Sequence, residues 1–216
     1  MKKNTNGKLC VDFKELRAKF LNHIAQRFDG RSWKKIHRAL EVAEYAHAGQ
    51  TRDDDTPYIL HPLRIALFLL HEKLDIHDVD ILCAALLHDV AEDQERFTPD
   101  YIEAEFGTRV SSIVRTLTKP DEPTKTREEI NEVYFERLRH SDEDCKLIKL
   151  ADKLDNVLDA VNCPYPAKQR RTAAEAKDFY LSLAASLRDK KRKQIILKFM
   201  NEAITTLEAR ISEEKD

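Results

Sequence analysis

A chain of 216 residues with 42% hydrophobic and 35% charged residues has enough apolar material for one sizeable core and is too apolar for an intrinsically disordered protein. Four glycines and seven prolines are too few for the many tight turns of an all-β fold, and a formal net charge of −2 provides no global field to recruit nucleic acid or an acidic membrane. The charge is unevenly placed: Asp75 to Glu105 holds ten acids against one base, Arg96, and Lys168 to Lys193 holds nine bases against three acids. The basic run reads as a solvated helix face; the acidic run reads as part of a metal site, for reasons given below. Cys10, Cys83, Cys145 and Cys163 lie far apart with no CxxC or Cys/His zinc spacing, and Cys83, in an apolar helix, reads as a reduced core thiol. Met1 to Lys8 is polar and basic, and no stretch approaches the ~18 apolar residues of a membrane span. A cytoplasmic location is the resulting expectation.

In chain order, nearly every segment reads as helix. Ser32 is the expected cap of a helix running to about Ala48, with Trp33, Ile36, Leu40, Ala43 and Ala46 at helical spacing. A polar loop from Gln50 to Pro57 carries three consecutive acids, Asp53 to Asp55. Tyr58 to Pro62 leads into a helix to Leu70, with Pro62 in the first turn, where its missing N–H costs nothing. His77 to Val90 is apolar nearly all round, the pattern of a helix inside a domain. Thr98 caps a helix that Gly107 ends, and another runs from about Val110 to Thr118. Lys119 to Thr126, with Pro120 and Pro123, is the clearest loop. Helix resumes to His140, and Ser141 is the expected cap of a helix from Asp142 to Val161. Pro164 and Pro166 precede two long C-terminal helices. Trp33, Tyr45 and Phe68 fall at core-compatible positions. Tyr180, Lys177, Arg170 and Arg171 read as surface.

The strongest chemical signal is His88-Asp89 followed by Glu92-Asp93. On one continuous helix His88 lies above Glu92 and Asp89 above Asp93, so four ionisable groups gather at the end of an apolar helix. Buried unpaired they would cost several kcal/mol, and a divalent cation is an economical partner. From this segment alone, ordinary surface acids weigh equally. His61 by itself is a weak signal. Asp152, Asn156 and Asp159 share one face of a helix whose core stripe reads as Leu147, Leu150, Ala151, Leu154, Leu158 and Val161, and periodicity alone assigns the polar face to solvent.

Taken together these segments resemble a known family. His61, His88-Asp89 and Asp152 follow the order and approximate spacing of the H…HD…D signature of the HD superfamily. Thr56 to Pro62 is similar to the "PYI-x-HP" segment of RelA/SpoT hydrolase domains, Ala84 to Asp93 to their "AALLHDVVEDT", Phe106-Gly107 and Leu117 to Lys119 to their "FG" and "VTK", and Leu147 to Asn156 to their "LIKLADRLHN". The similarity runs from about Ala43 to Val161. It is greatest to the small stand-alone alarmone hydrolases, with no room left for a synthetase domain.

The resemblance implies an all-α HD-domain bundle of about ten helices. Residues 1–216 would form one domain with a metal-site core at about 43–161, and C-terminal helices over 166–211 would pack on it. It implies His61, His88, Asp89 and Asp152 as ligands, commonly of Mn²⁺, and Glu92 and Asp93 as the groups that handle protons and position the attacking water. Arg52, Asn156, Lys119 and Asp159 would contact the substrate. The implied activity is hydrolysis of guanosine 3′,5′-bis(diphosphate) or a related alarmone to the nucleoside di- or triphosphate and pyrophosphate. A nucleotide is the implied partner, without nucleic acid or membrane, and a homodimer is left open. Two departures stand near the substrate: Asp53 to Asp55 replace a basic, small-residue loop, and Asp155 and Asp159 replace a usual His and Thr. Three free acids would repel phosphate by about 1 kcal/mol per pair near 4 Å in water. That favours, as alternatives, an HD phosphohydrolase acting on another nucleotide or an NADPH-like phosphate. A catalytically silent binding module is opposed by the intact set of six.

Overall fold

The computed structural model describes residues 13–93 and 96–213, with the side chains of Glu92 and Asp93 outside the described set. Its α segments are α1 (Phe13–Arg27), α2 (Gly30–Ala46), α3 (Leu60–Leu69), α4 (Val79–Leu87), α5 (Val90–Asp93), α6 (Pro99–Phe106), α7 (Thr108–Leu117), α8 (Arg127–His140), α9 (Glu143–Ala160), α10 (Pro166–Glu175), α11 (Leu181–Ala185) and α12 (Lys190–Glu213). A π-helical turn over Ala176–Tyr180 joins α10 to α11 without a break, and only two residues separate α4 from α5. Counted as rods, the described residues form the expected ten. Their one extended pairing is an isolated bridge between Thr51 and Pro57.

Local chemistry sets the helix ends. The cap of α2 is Asp29 rather than Ser32: the Asp29 carboxylate accepts the Ser32 N–H at 2.8 Å, and the helix begins three residues earlier than expected. Asp78 caps α4 by accepting from the Asp80 and Ile81 amides. Thr98 caps α6 as expected, and Gly107 closes it at φ 90°, ψ 163°, a region open essentially to glycine alone. Thr126 and Glu129 form a reciprocal capping box at the start of α8. Ser141 ends α8 instead of capping α9: its hydroxyl donates to the Leu138 carbonyl at 2.8 Å.

Two helices organise the core. α4 is buried from Ile81 to Leu87 and packs against α2, α3, α7 and α9. α9 is buried on nearly all sides and touches α3, α4, α7, α8, α10, α11 and α12. The periodicity reading of α9 fails at two positions. Leu158 is half exposed, and Asp152, assigned to solvent, is buried. Tyr45, read as core, is also exposed, lying edge-on to Phe97 with the Arg96 guanidinium over its ring. Tyr180, read as surface, is buried beneath the Lys153 ammonium. Cys83, Cys145 and Cys163 are free and buried, and burial pushes the Cys83 thiol up to about 12. No helix of the described residues is long and apolar enough to cross a membrane.

Candidate active site

Three segments converge. α3 carries His61 in its first turn, where the neighbouring Pro62 sets φ for the helical start. The two residues between α4 and α5 are His88 and Asp89, so the continuous helix expected over His77 to Val90 is instead interrupted where its first polar pair occurs. α9 supplies Asp152 from a buried face.

Ligand atoms of His61, His88 and Asp89 all lie within 4.8 Å of one another. Asp152 completes the group, its Oδ1 standing 3.2 Å from His61 Nε2 and 3.9 Å from His88 Nε2. His61 Nε2 is 3.6 Å from Asp89 Oδ2, and His88 Nε2 is 3.2 Å from Asp89 Oδ1. Each side chain is held from behind. His88 Nδ1 bonds the Ala85 carbonyl at 2.9 Å, which puts the proton on Nδ1 and leaves Nε2 a lone pair. The Tyr58 hydroxyl donates to Asp89 Oδ2 at 2.7 Å. The Lys149 ammonium pairs with Asp152 Oδ2 at 2.7 Å, and Asn156 Nδ2 donates to Asp152 Oδ1 at 2.5 Å.

The electrostatics are those of a site built around positive charge. Burial opposes ionisation of His61, but hydrogen bonds and charge from Asp152 and Asp155 prevail and push it up to about 9. Burial lowers His88, which has weaker support. Burial would raise Asp89 and Asp152, yet the neighbouring imidazoles and, for Asp152, Lys149 hold both below the usual carboxylate range. Among the described residues His88 Nε2 is buried and has no hydrogen-bond partner, an arrangement that costs about 1–3 kcal/mol in a finished core. Two imidazole nitrogens and two carboxylates facing one point, one nitrogen with its lone pair unused, fit a divalent cation.

Beside this cluster opens a cleft lined by Arg52, Asn156 and Asp159, by Lys153, and by Lys168 and Arg171 from α10. Arg52 Nη2 donates to Asn156 Oδ1 at 2.6 Å and its Nε pairs with Asp159 at 2.6 Å. Three of the four expected substrate contacts therefore stand together. Lys119 stands apart from that lining; its ammonium donates to Asn131 Oδ1 at 2.8 Å and lies over the Tyr134 ring. The basic run is solvated as expected, and two of its members, Lys168 and Arg171, also line the cleft.

The three loop acids are not three free charges. Asp53 pairs with Lys168 at 2.5 Å and accepts from the Cys163 thiol, and its carboxyl is held below the usual range chiefly by Lys168. Asp54 accepts from the Thr56 amide and hydroxyl, closing the turn. Asp55 takes the left-handed conformation, φ 62°, that the turn requires.

Sequence reasoning missed Arg64 and the role of Asp155. Asp155 is buried, accepts from His61 Nδ1 at 2.6 Å and takes two N–H bonds from Arg64, at 2.6 and 2.7 Å. An arginine inside the otherwise apolar Leu60–Leu69 helix, one turn after His61, was the available signal. The expected proton-handling residues, Glu92 and Asp93, belong to α5, but their side chains lie outside the described residues.

Helices that bring a sequence-adjacent His-Asp pair together with a distant His and a distant Asp define an all-helical, divalent-metal-binding protein. The chain belongs to the HD-domain family, whose model matches residues 39–188. It is 42% identical over 129 residues to the guanosine-3′,5′-bis(diphosphate) 3′-pyrophosphohydrolase MESH1 of Homo sapiens, covering 57% of this chain and 70% of that protein. It is 37% identical over 158 residues to the bifunctional (p)ppGpp synthase/hydrolase SpoT of Escherichia coli (strain K12), covering 71% of this chain but only 22% of SpoT. The solved structure of a metazoan ortholog of SpoT that hydrolyzes ppGpp superposes with a TM-score of 0.66 at 29% identity, over 79% of this chain and 94% of that one.

Proposed function

We propose that this protein is a Mn²⁺-dependent 3′-pyrophosphohydrolase that converts guanosine 3′,5′-bis(diphosphate), or a closely related alarmone, to the nucleoside di- or triphosphate and pyrophosphate. The observation that carries the reading is the His61/His88/Asp89/Asp152 cluster, in which His88 Nε2 makes no hydrogen bond among the described residues, opening beside a cleft that carries both arginine and lysine. The printed activities of the MESH1 and SpoT relatives support it.

In this reading His61 Nε2, His88 Nε2 and the carboxylates of Asp89 and Asp152 hold the cation, which when bound supplies Lewis acidity and a water of lowered pKa. Mixed nitrogen and oxygen donors accommodate a first-row divalent cation, and Mn²⁺ is the one the family resemblance implies. Tyr58 fixes the orientation of Asp89, and Lys149 offsets the charge of Asp152. Glu92 and Asp93 take the proton of the attacking water and return one to the leaving 3′-oxygen of the ribose, so that water oxygen replaces ribose oxygen on phosphorus. Arg52 packs on the base and Asn156 meets the ribose, each exchanging an internal bond for one to substrate. Asp159, bonded to Arg52 and Arg64, anchors those arginines rather than touching the nucleotide. Lys153, Lys168 and Arg171 receive phosphate. The contribution of α10 to the cleft supports treating the chain as one hydrolase domain. The acidic loop is the feature that favours another nucleotide, and pairing of Asp53 with Lys168 weakens that argument for one of its three acids.

The test is product analysis by anion-exchange chromatography with Mn²⁺ and, separately, ppGpp, pppApp and NADPH, with Asp89→Ala as control. Pyrophosphate from an alarmone with wild type only is the expected result. Release of a single phosphate from NADPH with no alarmone turnover would replace the proposal, and turnover retained by Asp89→Ala would overturn the site.

A further inference from the structure

α9 presents Asp152, Asp155, Asn156 and Asp159 on one face, and their partners join them into a closed circuit. His61 Nε2 faces Asp152 Oδ1 and His61 Nδ1 bonds Asp155 Oδ2. Arg64 grips both oxygens of Asp155 and reaches Asp159 at 2.9 Å. Asp159 pairs with Arg52, Arg52 bonds Asn156, and Asn156 returns to Asp152. The circuit runs from the metal cluster to the cleft and back, and Arg64 is the arginine in it bonded to a carboxylate on each side.

We propose that Asp155 and Arg64 are positioning residues: Asp155 fixes the His61 ring with Nε2 toward the metal cluster, and Arg64 ties that orientation to the placement of Arg52 in the cleft. The inference rests on the reading that His61, His88, Asp89 and Asp152 hold a divalent cation.

The chemistry assigns each role. An ionised carboxylate only accepts, so Asp155 places a proton on His61 Nδ1 and leaves Nε2 as the donor atom toward a metal. The carboxylate also raises the basicity of the ring, which the histidine standing here in the resembled family would do more weakly. Asp155 is buried, and its charge is tolerated because Arg64 meets it with two parallel N–H bonds, the geometry a guanidinium provides and an ammonium does not. Arg64 sits three residues after His61 on α3, hence on the same face of the same helix. Its third bond, to Asp159, fixes the carboxylate that in turn holds Arg52 Nε. A shift of the His61–Asp155 pair is thereby passed to the arginine that lines the cleft.

The test is Mn²⁺ titration by isothermal calorimetry on wild type, Asp155→Asn and Arg64→Gln, with thermal melts of each metal-free protein and steady-state kinetics on ppGpp. Asp155→Asn should bind Mn²⁺ about 10- to 100-fold more weakly, as loss of an outer-shell partner does, and lose kcat in parallel at subsaturating metal. Arg64→Gln should lose less metal affinity and raise KM, because Asp155 stays on His61 while Asp159 and Arg52 lose their anchor. A merely structural pair would lower the melting temperature and leave Mn²⁺ affinity and KM unchanged, and that result overturns the proposal. If Asp155→Asn does not fold, Arg64→Gln decides alone: unchanged Mn²⁺ affinity together with unchanged KM overturns the proposal. Failure of wild type to bind Mn²⁺ would overturn the metal reading and this inference with it, whereas wild-type binding matched by both variants overturns only the inference.

Discussion

Lys149 carries an ammonium group into the interior, 2.7 Å from Asp152 Oδ2 and over the Tyr134 ring. Burial works against its charge, but Asp152 prevails and raises its pKa well above that of an ordinary lysine. It therefore stands in for part of the positive charge that the carboxylate cluster requires. Lys149→Met should leave Asp152 undercompensated and destabilise the metal-free protein by about 3 kcal/mol, the lower end for breaking a buried pair, because His61 and Asn156 still hold the carboxylate. For a chain of this size that is a fall of about 6–12 °C in Tm. Removing a competing cation should also make Mn²⁺ raise the variant's Tm more than it raises the wild type's; equal increments in scanning calorimetry would show that Lys149 and the metal site are independent. A milder effect is expected at the cleft mouth. Asp53→Ala releases Lys168 from its ion pair, so KM for an anionic nucleotide should fall by up to about fivefold, the range set by an exposed pair worth up to ~1 kcal/mol. A raised KM would mean that Asp53 itself contacts the substrate.

At the scale of elements, the turn between α6 and α7 separates conformational cost from packing cost. Gly107 sits at φ 90°, ψ 163°, and a Cβ built there meets nothing within 4 Å. Gly107→Ala should therefore cost about 1–3 kcal/mol through backbone strain alone, seen as a lower denaturation midpoint with Mn²⁺ affinity unchanged. A metal affinity that fell with it would tie the turn to the site. This element was legible in the sequence, because a glycine after an amphipathic run has few other meanings. The convergence of the His-Asp pair with Asp152 was legible only through the resemblance to the family's ordered motifs. What periodicity could not show was that α9 is enclosed on nearly every side. Its polar face reads as solvent-facing until α3 supplies Arg64 and His61 to neutralise it. Arg64 and Asp155 are 91 positions apart, and neither has meaning without the other. Helix starts were misread for a related reason. Asp29 and Asp142 precede the first turns of α2 and α9, while nearby serines offered an equally good local signal.

Across the whole molecule, the cluster is a junction between α3, the break after α4, and α9, each of which packs on the other two. The apolar core around them is extensive and continuous through α2, α7 and α12, so the helices are expected to persist without a metal. The junction nevertheless gathers Asp89, Asp152, Asp155 and Asp159 against Arg52, Arg64, Lys149 and His61, with His88 Nε2 making no hydrogen bond among the described residues. A cation bound only to the native state adds stability by mass action, about 2.7 kcal/mol when its free concentration is one hundred times Kd. For a chain of this length that corresponds to about 5–11 °C in Tm. Chelation should therefore lower Tm by this amount while the far-UV circular dichroism at 25 °C stays helical. Readdition of Mn²⁺ should restore the original value, and no such shift should occur in Asp89→Ala. A chelated protein that lost its helices at 25 °C would make the ion a structural element of the fold. A Tm indifferent to chelator would mean that the four residues balance one another without a cation, and the hydrolytic reading would lose its basis.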